Sequence, residues 1–294
     1  MDICDIIMYF FTTGDTNFMI HKDCSTIDIK AIAFDFDGTL LNPQKELTPK
    51  TIETVEALKA RGIKIILATG RSFRAMLPFK EQLGVHTPTI NYNGAAIYDS
   101  RTGTPLHETL LKEQAARKII ELGRANGLHT QGFRHEKLLF EALTPEALKY
   151  QEHVNFEGDV VNFDDYKLLE LTKLMYISED TETISRLGKI LDTEFPHKVH
   201  HCYSLPNYYE MMDGEVNKGK ALSLLLDDLS IAPAQTMAFG DGHNDLPMLQ
   251  VAGIGVSMEN ADDKVKSLTQ YHAPPNDRDG VARFLNNFFK LQLF

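Results

Sequence analysis

The chain has 294 residues, of which 43% are hydrophobic and 24% are charged, a balance typical of a globular protein and not of a disordered one. Its 30 Lys and Arg residues oppose 41 Asp and Glu residues, so the formal net charge is −11. This surplus of negative charge argues against a protein that coats nucleic acid, because phosphate backbones are bound by clustered basic side chains. We therefore expect no nucleic-acid partner.

The cysteines and the N-terminus predict a cytoplasmic protein. Cys4, Cys24 and Cys202 are odd in number and form no CxxC pair, which is typical of a reducing compartment. The longest apolar run near the N-terminus, residues 6–11, is far shorter than the roughly 20 residues of a membrane helix. Acidic residues precede this run where an export signal would carry positive charge, so we expect neither an export signal nor a membrane partner.

Residues 1–28 have no clear periodicity and form an N-terminal extension of unknown structure. The following residues alternate between predicted strands and helices. The first helix has Thr48 as its N-cap, Pro49 at its first position and Gly62 after its end. This alternation predicts βαβ units and a parallel sheet. The predicted strands and helices of this part lie at residues 29–34, 48–61, 63–68, 74–83, 89–92 and 95–98.

The same alternation returns near the C-terminus, at residues 218–229, 236–239, 245–251, 253–256, 262–268 and 280–289. Between the two parts, helices and short strands are mixed, at residues 112–126, 138–140, 144–153, 174–177, 181–194 and 208–211. The pattern predicts an α/β fold. A Rossmann-like parallel-sheet core would comprise residues 29–111 and 208–294, and a smaller α+β module would be inserted at 112–207. Such a module commonly serves as a lid over a site at the carboxyl ends of the core strands.

Two carboxylates follow the first predicted strand, in the segment Asp35-Phe36-Asp37-Gly38-Thr39. Both can reach the crevice at the end of the strand only if the chain bends at once, and Gly38 permits that bend. A solvated acidic turn is the ordinary interpretation of such a pair. In a catalytic site, one carboxylate can act as a nucleophile and the other as a general acid and base.

Three further segments lie at strand ends or helix starts of the predicted core. Thr69-Gly70-Arg71 offers a hydroxyl and a backbone N–H to a phosphate group, although a simple strand-to-helix turn also explains it. Lys218 begins a predicted helix, where the helix dipole disfavours a cation, and a surface lysine is the alternative interpretation. The glycine-rich loop at residues 240–245 carries Asp241 and Asp245, and such carboxylates suit Mg²⁺.

In combination, these four segments resemble the motifs of haloacid dehalogenase-type (HAD) phosphohydrolases, in particular of the Cof-like subfamily with an inserted α/β cap. The resemblance runs from about residue 29 to the C-terminus and includes residues 91–95 and 255–261. It implies a Mg²⁺-dependent phosphatase that acts on small phosphorylated metabolites through a phospho-aspartate intermediate.

The resemblance also implies roles for individual residues. Asp35 would be the nucleophile and Asp37 the general acid and base. Thr69 and Gly70 would bind the transferring phosphoryl group, while Lys218 would neutralise its charge and hold Asp35. Dehalogenases of the wider superfamily lack an acid at the second position, so Asp37 favours phosphoryl chemistry.

The metal site implied by the resemblance involves four aspartates. Asp35 and the backbone carbonyl of Asp37 would take part, and Asp241 would coordinate Mg²⁺ directly. Asp245 would hold a metal-bound water or the lysine, and Asn244 would contact the phosphoryl group or the same lysine. Crowded carboxylates repel a phosphate dianion unless a metal ion and a lysine offset their charge.

Some segments depart from the family pattern or suggest other chemistry. Residues 258–260 (Met-Glu-Asn) replace the small glycine often found between Met and Asn, and residues 1–28 have no counterpart in the family. The segment from His197 to Cys202 contains three histidines and a cysteine, which suggests zinc. It lacks a second ligand pair at a defined spacing and is more simply interpreted as a polar loop. His243, within the metal loop, is given no catalytic role.

Two other functions compete with hydrolysis. A hexose phosphomutase needs cap arginines to hold its bisphosphate intermediate. Only Arg134 lies in a plausible loop among the cap arginines, which are Arg117, Arg124, Arg134 and Arg186. This favours a phosphatase. A non-catalytic regulatory module would have lost a catalytic carboxylate, and all of them are present.

Sugar phosphates are the expected substrates, with broad specificity, because the predicted cap is polar and has few aromatic residues. Vitamin or nucleotide phosphates, such as flavin mononucleotide or pyridoxal phosphate, are the alternative. Their flat rings prefer an aromatic or apolar sandwich, which Tyr176 and Tyr203 could supply. The sequence leaves open whether the protein is a monomer or a dimer.

Overall fold

The computed structural model describes residues 28–154 and 156–294, so the expected N-terminal extension lies outside the described residues except for Asp28. The strands are β1 (Ala31–Phe34), β2 (Lys64–Leu67), β3 (Thr89–Asn91), β4 (Ala96–Tyr98), β5 (Pro105–Glu108), β6 (His129–Arg134), β7 (Lys137–Phe140), β8 (Asp159–Val160), β9 (Lys173–Ile177), β10 (Val199–Leu205), β11 (Tyr208–Asp213), β12 (Thr236–Gly240), β13 (Ile254–Met258) and β14 (Tyr271–Ala273). The helices are α1 (Pro49–Ala60), α2 (Phe73–Gln82), α3 (Glu113–Ala125), α4 (Pro145–Val154), α5 (Thr181–Glu194), α6 (Lys218–Asp228), α7 (Leu246–Val251), α8 (Asp263–Ser267) and α9 (Gly280–Phe288).

The core is a five-stranded parallel sheet with the order β14-β13-β12-β1-β2. Alternate residues of β1 face opposite layers of helices. Ile32 and Phe34 cluster with residues of α1 and α9, whereas Ala31 and Ala33 cluster with residues of α6 and α7. Because both faces are covered, every residue of β1 is buried and the strand is a continuous apolar run. The predicted α/β fold with a parallel core sheet is confirmed.

The first helix shows how local sequence signals set the element bounds. The side chain of Thr48 accepts a hydrogen bond of 3.2 Å from the backbone N–H of Thr51, and Pro49 occupies the first helical position. Gly62, just past the end, has a φ of +80°. The predicted start and stop of this helix are therefore confirmed. None of the helices in the described part of the chain is long and apolar enough to cross a membrane.

A second, six-stranded sheet has the order β10-β11-β9-β6-β7-β8, and together with α3, α4 and α5 it forms what we term the cap module. One face of the sheet packs on α3 and α5 through residues such as Leu174 and Met211. Side chains alternate along a strand, so the neighbouring residues Lys173, Met175 and Glu210 belong to the other face, which lines a cavity above the core. A lid over the core is what the sequence predicts.

Two expectations need correction here. Residues 208–213 were assigned to the core, but β11 pairs with β9 and β10 and so belongs to the sheet of the cap module. The histidine-rich segment was interpreted as a polar loop, whereas Val199–Leu205 forms the edge strand β10. Its polar residues are tolerated because a strand at the edge of a sheet keeps one side open to solvent.

The cap module docks on the core through Glu136, in the turn between β6 and β7. Its carboxylate accepts hydrogen bonds from the backbone N–H groups of Phe73 (3.3 Å) and Arg74 (2.7 Å), the first two residues of α2. It also accepts one of 2.8 Å from the hydroxyl of Tyr92. A helix N-terminus favours negative charge, so this carboxylate suits its position.

Candidate active site

The predicted site segments meet at the carboxyl edge of the core sheet. β1 lies between β12 and β2, and the three strands run parallel. Asp35 directly follows β1, Thr69 lies just beyond β2, and Asp241 directly follows β12. Parallel strands present their carboxyl ends at the same edge, so these loops open into one crevice.

Three carboxylates form a cluster at this edge. One oxygen each from Asp35, Asp241 and Asp245 lies within 4.8 Å of the others. Burial and the neighbouring Asp245 carboxylate raise the pKa of Asp35 well above its usual range. The same two causes raise the pKa of Asp241 to about 6, although Thr39 donates a hydrogen bond of 2.9 Å to its Oδ1. The cluster is therefore a concentration of negative charge that a cation would stabilise.

Lys218 is the buried counter-charge of this cluster, with a side chain that is 0% exposed. Its Nζ donates to Asp35 and, over 2.6 Å, to Asp245 Oδ1. Burial alone would lower the pKa of the lysine, but the two carboxylates outweigh this effect and raise it. Helix α6 begins at Lys218 because Asn217 acts as N-cap and accepts a hydrogen bond of 2.8 Å from the backbone N–H of Lys220. The alternative of a surface lysine is thus excluded.

Asp245 organises the loop that carries it. Its Oδ2 accepts hydrogen bonds from the backbone N–H groups of Asp241 (3.0 Å) and Gly242 (2.9 Å), while its Oδ1 accepts from Lys218. Both oxygens are therefore engaged within the protein. This fixes the position of the lysine and of the loop.

Gly38 allows the two acidic segments to approach each other. Its φ is +86°, and a Cβ at this position would lie 2.2 Å from Asp241 Oδ2. The unusual segment at residues 258–260 also contacts this turn, because Asn260 donates a hydrogen bond of 2.8 Å to the carbonyl of Gly38. Asn260 in turn accepts one of 3.0 Å from the backbone N–H of Asn276. The segment therefore supports the turn between Asp35 and Thr39.

The Asp37 carboxylate contacts two cations and is not part of the acidic cluster. Arg71 donates to it from Nε (2.9 Å) and Nη2 (2.8 Å), and Lys45 donates over 2.7 Å. Burial opposes ionisation, but the contacts with Arg71 and Lys45 outweigh it and lower the pKa of Asp37 to about 2. A general acid must carry a proton, and this arrangement keeps Asp37 ionised at neutral pH.

Asn93 joins the two predicted phosphate-binding segments, and the sequence reasoning did not assign it to the site. Its backbone N–H donates to the carbonyl of Thr69 (3.0 Å), and its Oδ1 accepts a hydrogen bond of 3.0 Å from Asn244 Nδ2. A Cβ on Gly70 would lie 3.1 Å from the same oxygen. The Asn93-Gly94 pair is an ordinary turn signal, and residues 91–95 share in the family resemblance, but no role in the site was expected of Asn93 itself.

A cavity of about 640 Å³ lies between this edge of the core and the cap module. The core side of its wall includes Asp35, Asp37, Gly70, Asn93, Asp241, Asn244 and Asp245. The cap side includes Phe133, Tyr150, His153, Lys173, Met175, Cys202, Tyr203, Tyr208 and Glu210. All the predicted site residues except the buried Thr69 and Lys218 thus reach the cavity wall.

The histidine-rich segment does not bring its members to one point. Neighbouring residues of β10 alternate between the two faces of the sheet, so His201 is on the opposite face from His200 and Cys202. His201 Nε2 lies 2.9 Å from Asp192 Oδ1. Cys202 lines the cavity, but burial raises its pKa to about 12, so it is a neutral thiol and not a thiolate.

Comparison with known proteins decides the family. A family model described as haloacid dehalogenase-like hydrolase matches residues 32–285, most of the chain. The chain belongs to the haloacid dehalogenase-like hydrolases. The resemblance identified from the four motifs is therefore confirmed.

Relatives and solved structures agree with this assignment. The HMP-PP phosphatase of Serratia proteamaculans is 32% identical over 243 residues, which are 80% of this chain and 86% of the relative. The pyridoxal phosphate phosphatase YbhA of Escherichia coli is 28% identical and covers 87% of this chain and 97% of its own length. The structure of a haloacid dehalogenase-like hydrolase from Bacteroides thetaiotaomicron superposes with a TM-score of 0.80 at 28% identity, covering 89% of this chain and 100% of that chain. The predicted enzyme class, a HAD-type phosphatase, is confirmed.

Proposed function

We propose that this protein is a Mg²⁺-dependent phosphatase that hydrolyses small phosphomonoesters through a phospho-aspartate on Asp35. The arrangement around Asp35 carries the proposal. This carboxylate lies at the carboxyl edge of the core sheet, contacts the buried Lys218 and belongs to the cluster with Asp241 and Asp245. A nucleophile beside a fixed cation and a metal-type donor set is what phosphoryl transfer requires.

The donor chemistry of the cluster fits Mg²⁺. When all three carboxylates are ionised, they exceed the one ammonium by two negative charges, which a divalent cation would neutralise. Asp35 and Asp241 would hold the ion with carboxylate oxygens, the ligand type that Mg²⁺ prefers. Asp245, whose oxygens are engaged with Lys218 and the loop, would support the site. When bound, Mg²⁺ would offset the charge of a phosphate group placed among carboxylates.

The reaction proceeds in two displacements at phosphorus. In the first, a carboxylate oxygen of Asp35 forms a bond to phosphorus, and the ester P–O bond breaks with its electron pair passing to the alcohol oxygen, which takes a proton from the protonated form of Asp37. In the second, water attacks phosphorus and loses a proton, and the bond to Asp35 breaks to restore the carboxylate and release phosphate. Thr69, Gly70, Lys218 and Asn244 would hold the phosphoryl oxygens.

Asp37 suits the second displacement better than the first. As an anion held by Arg71 and Lys45, it can accept the proton of the attacking water. To donate a proton to the leaving alcohol, it must first be protonated, which requires that these two cations turn away from it. The expected role of general base is therefore better supported than that of general acid.

The cap side of the cavity favours a flat leaving group over a sugar. The proposed sandwich of Tyr176 and Tyr203 is not formed, because Tyr176 is fully buried and its hydroxyl donates to the carbonyl of Ile119. Instead, Phe133, Tyr150 and Tyr208 line the cavity with Tyr203. Aromatic rings stack on planar heterocycles, so we favour vitamin-type phosphates, the alternative in the sequence analysis, over sugar phosphates. The relative that is named for pyridoxal phosphate supports this choice.

The cap arginines again favour hydrolysis over a phosphomutase reaction. Arg134 pairs with Glu170 over 2.9 Å, and Arg124 pairs with Glu141 and Asp164. Of the described residues that line the cavity, the only arginine is Arg71, on the core side. A bisphosphate intermediate would therefore meet little positive charge on the cap side.

The test of the proposed function compares wild type with Asp35→Asn and, as a matched control, Asp228→Asn, which changes an exposed carboxylate near the end of α6. Turnover of a panel containing pyridoxal phosphate, flavin mononucleotide and sugar phosphates is measured in EDTA and in Mg²⁺. We expect Asp35→Asn to lose at least about a thousandfold in kcat/KM, because an amide cannot form the acyl phosphate, while the control keeps its activity. Asp35→Asn within tenfold of wild type, or activity indifferent to EDTA, contradicts the proposal.

A further inference from the structure

A buried ion pair on the cap side of the cavity has no role in the reaction described so far. Lys173 of β9 and Glu210 of β11 have side chains that are 3% and 6% exposed, and Lys173 Nζ donates to Glu210 Oε1 over 2.9 Å. The ammonium also lies 4.9 Å from the ring centre of Phe133 and 5.5 Å from that of Tyr92. A buried pair of this kind is often no more stable than well-packed apolar residues of similar volume. Fold stability therefore does not explain why the two charges are present.

The other oxygen of Glu210 reaches the core. Asn93 Nδ2 lies 3.5 Å from Glu210 Oε2, a long hydrogen bond to a charged acceptor. The opposite end of the same amide, Asn93 Oδ1, accepts the hydrogen bond of 3.0 Å from Asn244 Nδ2. A continuous polar chain thus runs from Lys173 through Glu210 and Asn93 to Asn244. It crosses from the cap module to the core loop at residues 240–245.

The backbone holds Asn93 firmly at this crossing. Its φ of +56° is in the left-handed region, which asparagine tolerates better than most residues. The following Gly94 has a φ of +102°, and a Cβ there would lie 2.4 Å from the carbonyl oxygen of Asn217, just before Lys218. The turn is therefore packed against the start of α6, and rotation of its amide is the main freedom left to the Asn93 side chain.

The charge of Glu210 removes that freedom. An amide has a donor end and an acceptor end, and a carboxylate accepts from the donor end alone. With Nδ2 turned to Glu210, Asn93 presents Oδ1 to Asn244, so Asn244 must turn its own Nδ2 to this side. If the Asn93 amide were reversed, Asn244 would have to place its carbonyl oxygen where its Nδ2 now lies. An oxygen at that position would repel the oxygens of a bound phosphate group, whereas an N–H can donate to them.

We propose that Glu210 is a positioning residue of the phosphoryl site. Its charge sets the orientation of the Asn93 amide and, through it, makes Asn244 a hydrogen-bond donor toward phosphate. Lys173 pairs with the buried Glu210 and holds its carboxylate in place. The inference rests on the proposed function, because it concerns the same site. The cap module would then do more than cover the substrate. It would also set the orientation of the Asn244 amide on the core.

The test removes the buried charges as a pair, because deleting one partner would leave the other unpaired and destabilise the fold. Two double variants are compared: Lys173→Met with Glu210→Gln, which keeps an acceptor oxygen, and Lys173→Met with Glu210→Leu, which has none. A lost hydrogen bond to a charged group corresponds to a decrease on the order of tenfold to a hundredfold in kcat/KM for the leucine variant. The glutamine variant recovers part of this loss at a similar Tm. Equal activity of the two variants overturns the proposal.

Asn93→Gly provides the second arm, because glycine keeps the left-handed backbone and removes the amide. In the wild-type background this variant loses activity by a similar factor. In the leucine double variant it causes little further loss, because the chain is already broken there. If the fold-losses of Asn93→Gly and of the leucine double variant multiply when combined, Asn93 and Glu210 act independently. That result refutes the hydrogen-bonded chain between them.

The affinity for inorganic phosphate in Mg²⁺, measured by calorimetry, separates this inference from the proposed function. A wild-type protein that binds phosphate without turning over any phosphomonoester contradicts the proposed function alone. The positioning role is then judged from phosphate affinity, which should fall in the leucine double variant and in Asn93→Gly. Unchanged affinity in these variants, or a wild-type protein that binds no phosphate, overturns the positioning role.

Discussion

Lys218→Met tests whether the acidic cluster depends on a single buried cation. The lysine is fully buried and contacts both Asp35 and Asp245, so its loss leaves three crowded carboxylates without a counter-charge. Breaking a buried ion pair by removing one partner costs about 3–5 kcal/mol. At roughly 2–4 °C per kcal/mol for a protein of this size, we expect Tm to fall by about 6–20 °C in EDTA.

The assay is thermal unfolding followed by circular dichroism, with Lys220→Met as the matched control. Lys220 lies two residues along the same helix, is 56% exposed and pairs with the exposed Glu215, so its removal should change Tm little. The double variant Asp35→Asn, Lys218→Met removes one charge of each sign. It should regain much of the lost stability while remaining inactive.

The loss in Lys218→Met should also depend on pH. Burial and Asp245 already raise the pKa of Asp241 to about 6 in the folded protein, above its usual value near 3.8. A raised carboxyl pKa contributes stability at low pH that is lost as pH rises through the folded pKa. The deficit of the variant should therefore be larger at pH 8 than at pH 5. A Tm deficit no larger than that of Lys220→Met, or one that does not change with pH, refutes this reasoning.

Three further predictions concern the loops around the cluster. Gly38→Ala should lower kcat/KM by at least tenfold and reduce Tm. The added Cβ would lie 2.2 Å from Asp241 Oδ2, and the backbone φ of +86° disfavours a side chain. Near-normal kinetics would contradict the described turn. The Tm of the metal-free protein should fall as pH rises through about 6, the pKa of Asp241. Saturating Mg²⁺ should reverse this trend, because the ion binds the ionised carboxylate. Parallel Tm profiles with and without Mg²⁺ would argue against a metal at this cluster. Tyr92→Phe removes one hydrogen bond to Glu136, which holds the cap module on the core. It should raise KM for substrates that fill the cavity and lower Tm by a few degrees. An unchanged KM would show that this contact does not help to position the cap module.

The core and its motifs were predictable because they depend on local signals. Short continuous apolar runs, the Thr48 N-cap and the glycines after helix ends each reflect residues that are close together in the chain. The position of Asp35 follows from the strand it ends. These features need no knowledge of the rest of the fold.

The environment of the site was not predictable because it depends on distant partners. Asp37 meets Arg71, which lies 34 residues away, and this contact changes the protonation expected of a general acid. Asn93 meets Glu210 across 117 residues and a module boundary. The boundary itself was placed too early because residues 208–211 were predicted as a strand, but the local sequence does not show that this strand pairs with the distant β9.

The contact of Glu136 with α2 makes the start of this helix depend on the cap module. The first three N–H groups of α2 have acceptors from two side chains. The N–H of Ala75 donates to Ser72, the N-cap of the helix, and those of Phe73 and Arg74 donate to Glu136 of the cap module. Were Glu136 to move away from the core, the N–H groups of Phe73 and Arg74 would exchange this acceptor for water. The first turn of α2 begins only three residues after Gly70, so it anchors the segment that carries Thr69 and Gly70. The position of the cap module and the order of the segment that follows Thr69 and Gly70 are therefore linked through one carboxylate. A cap module grafted from a relative would need an acid at the same turn to preserve this contact.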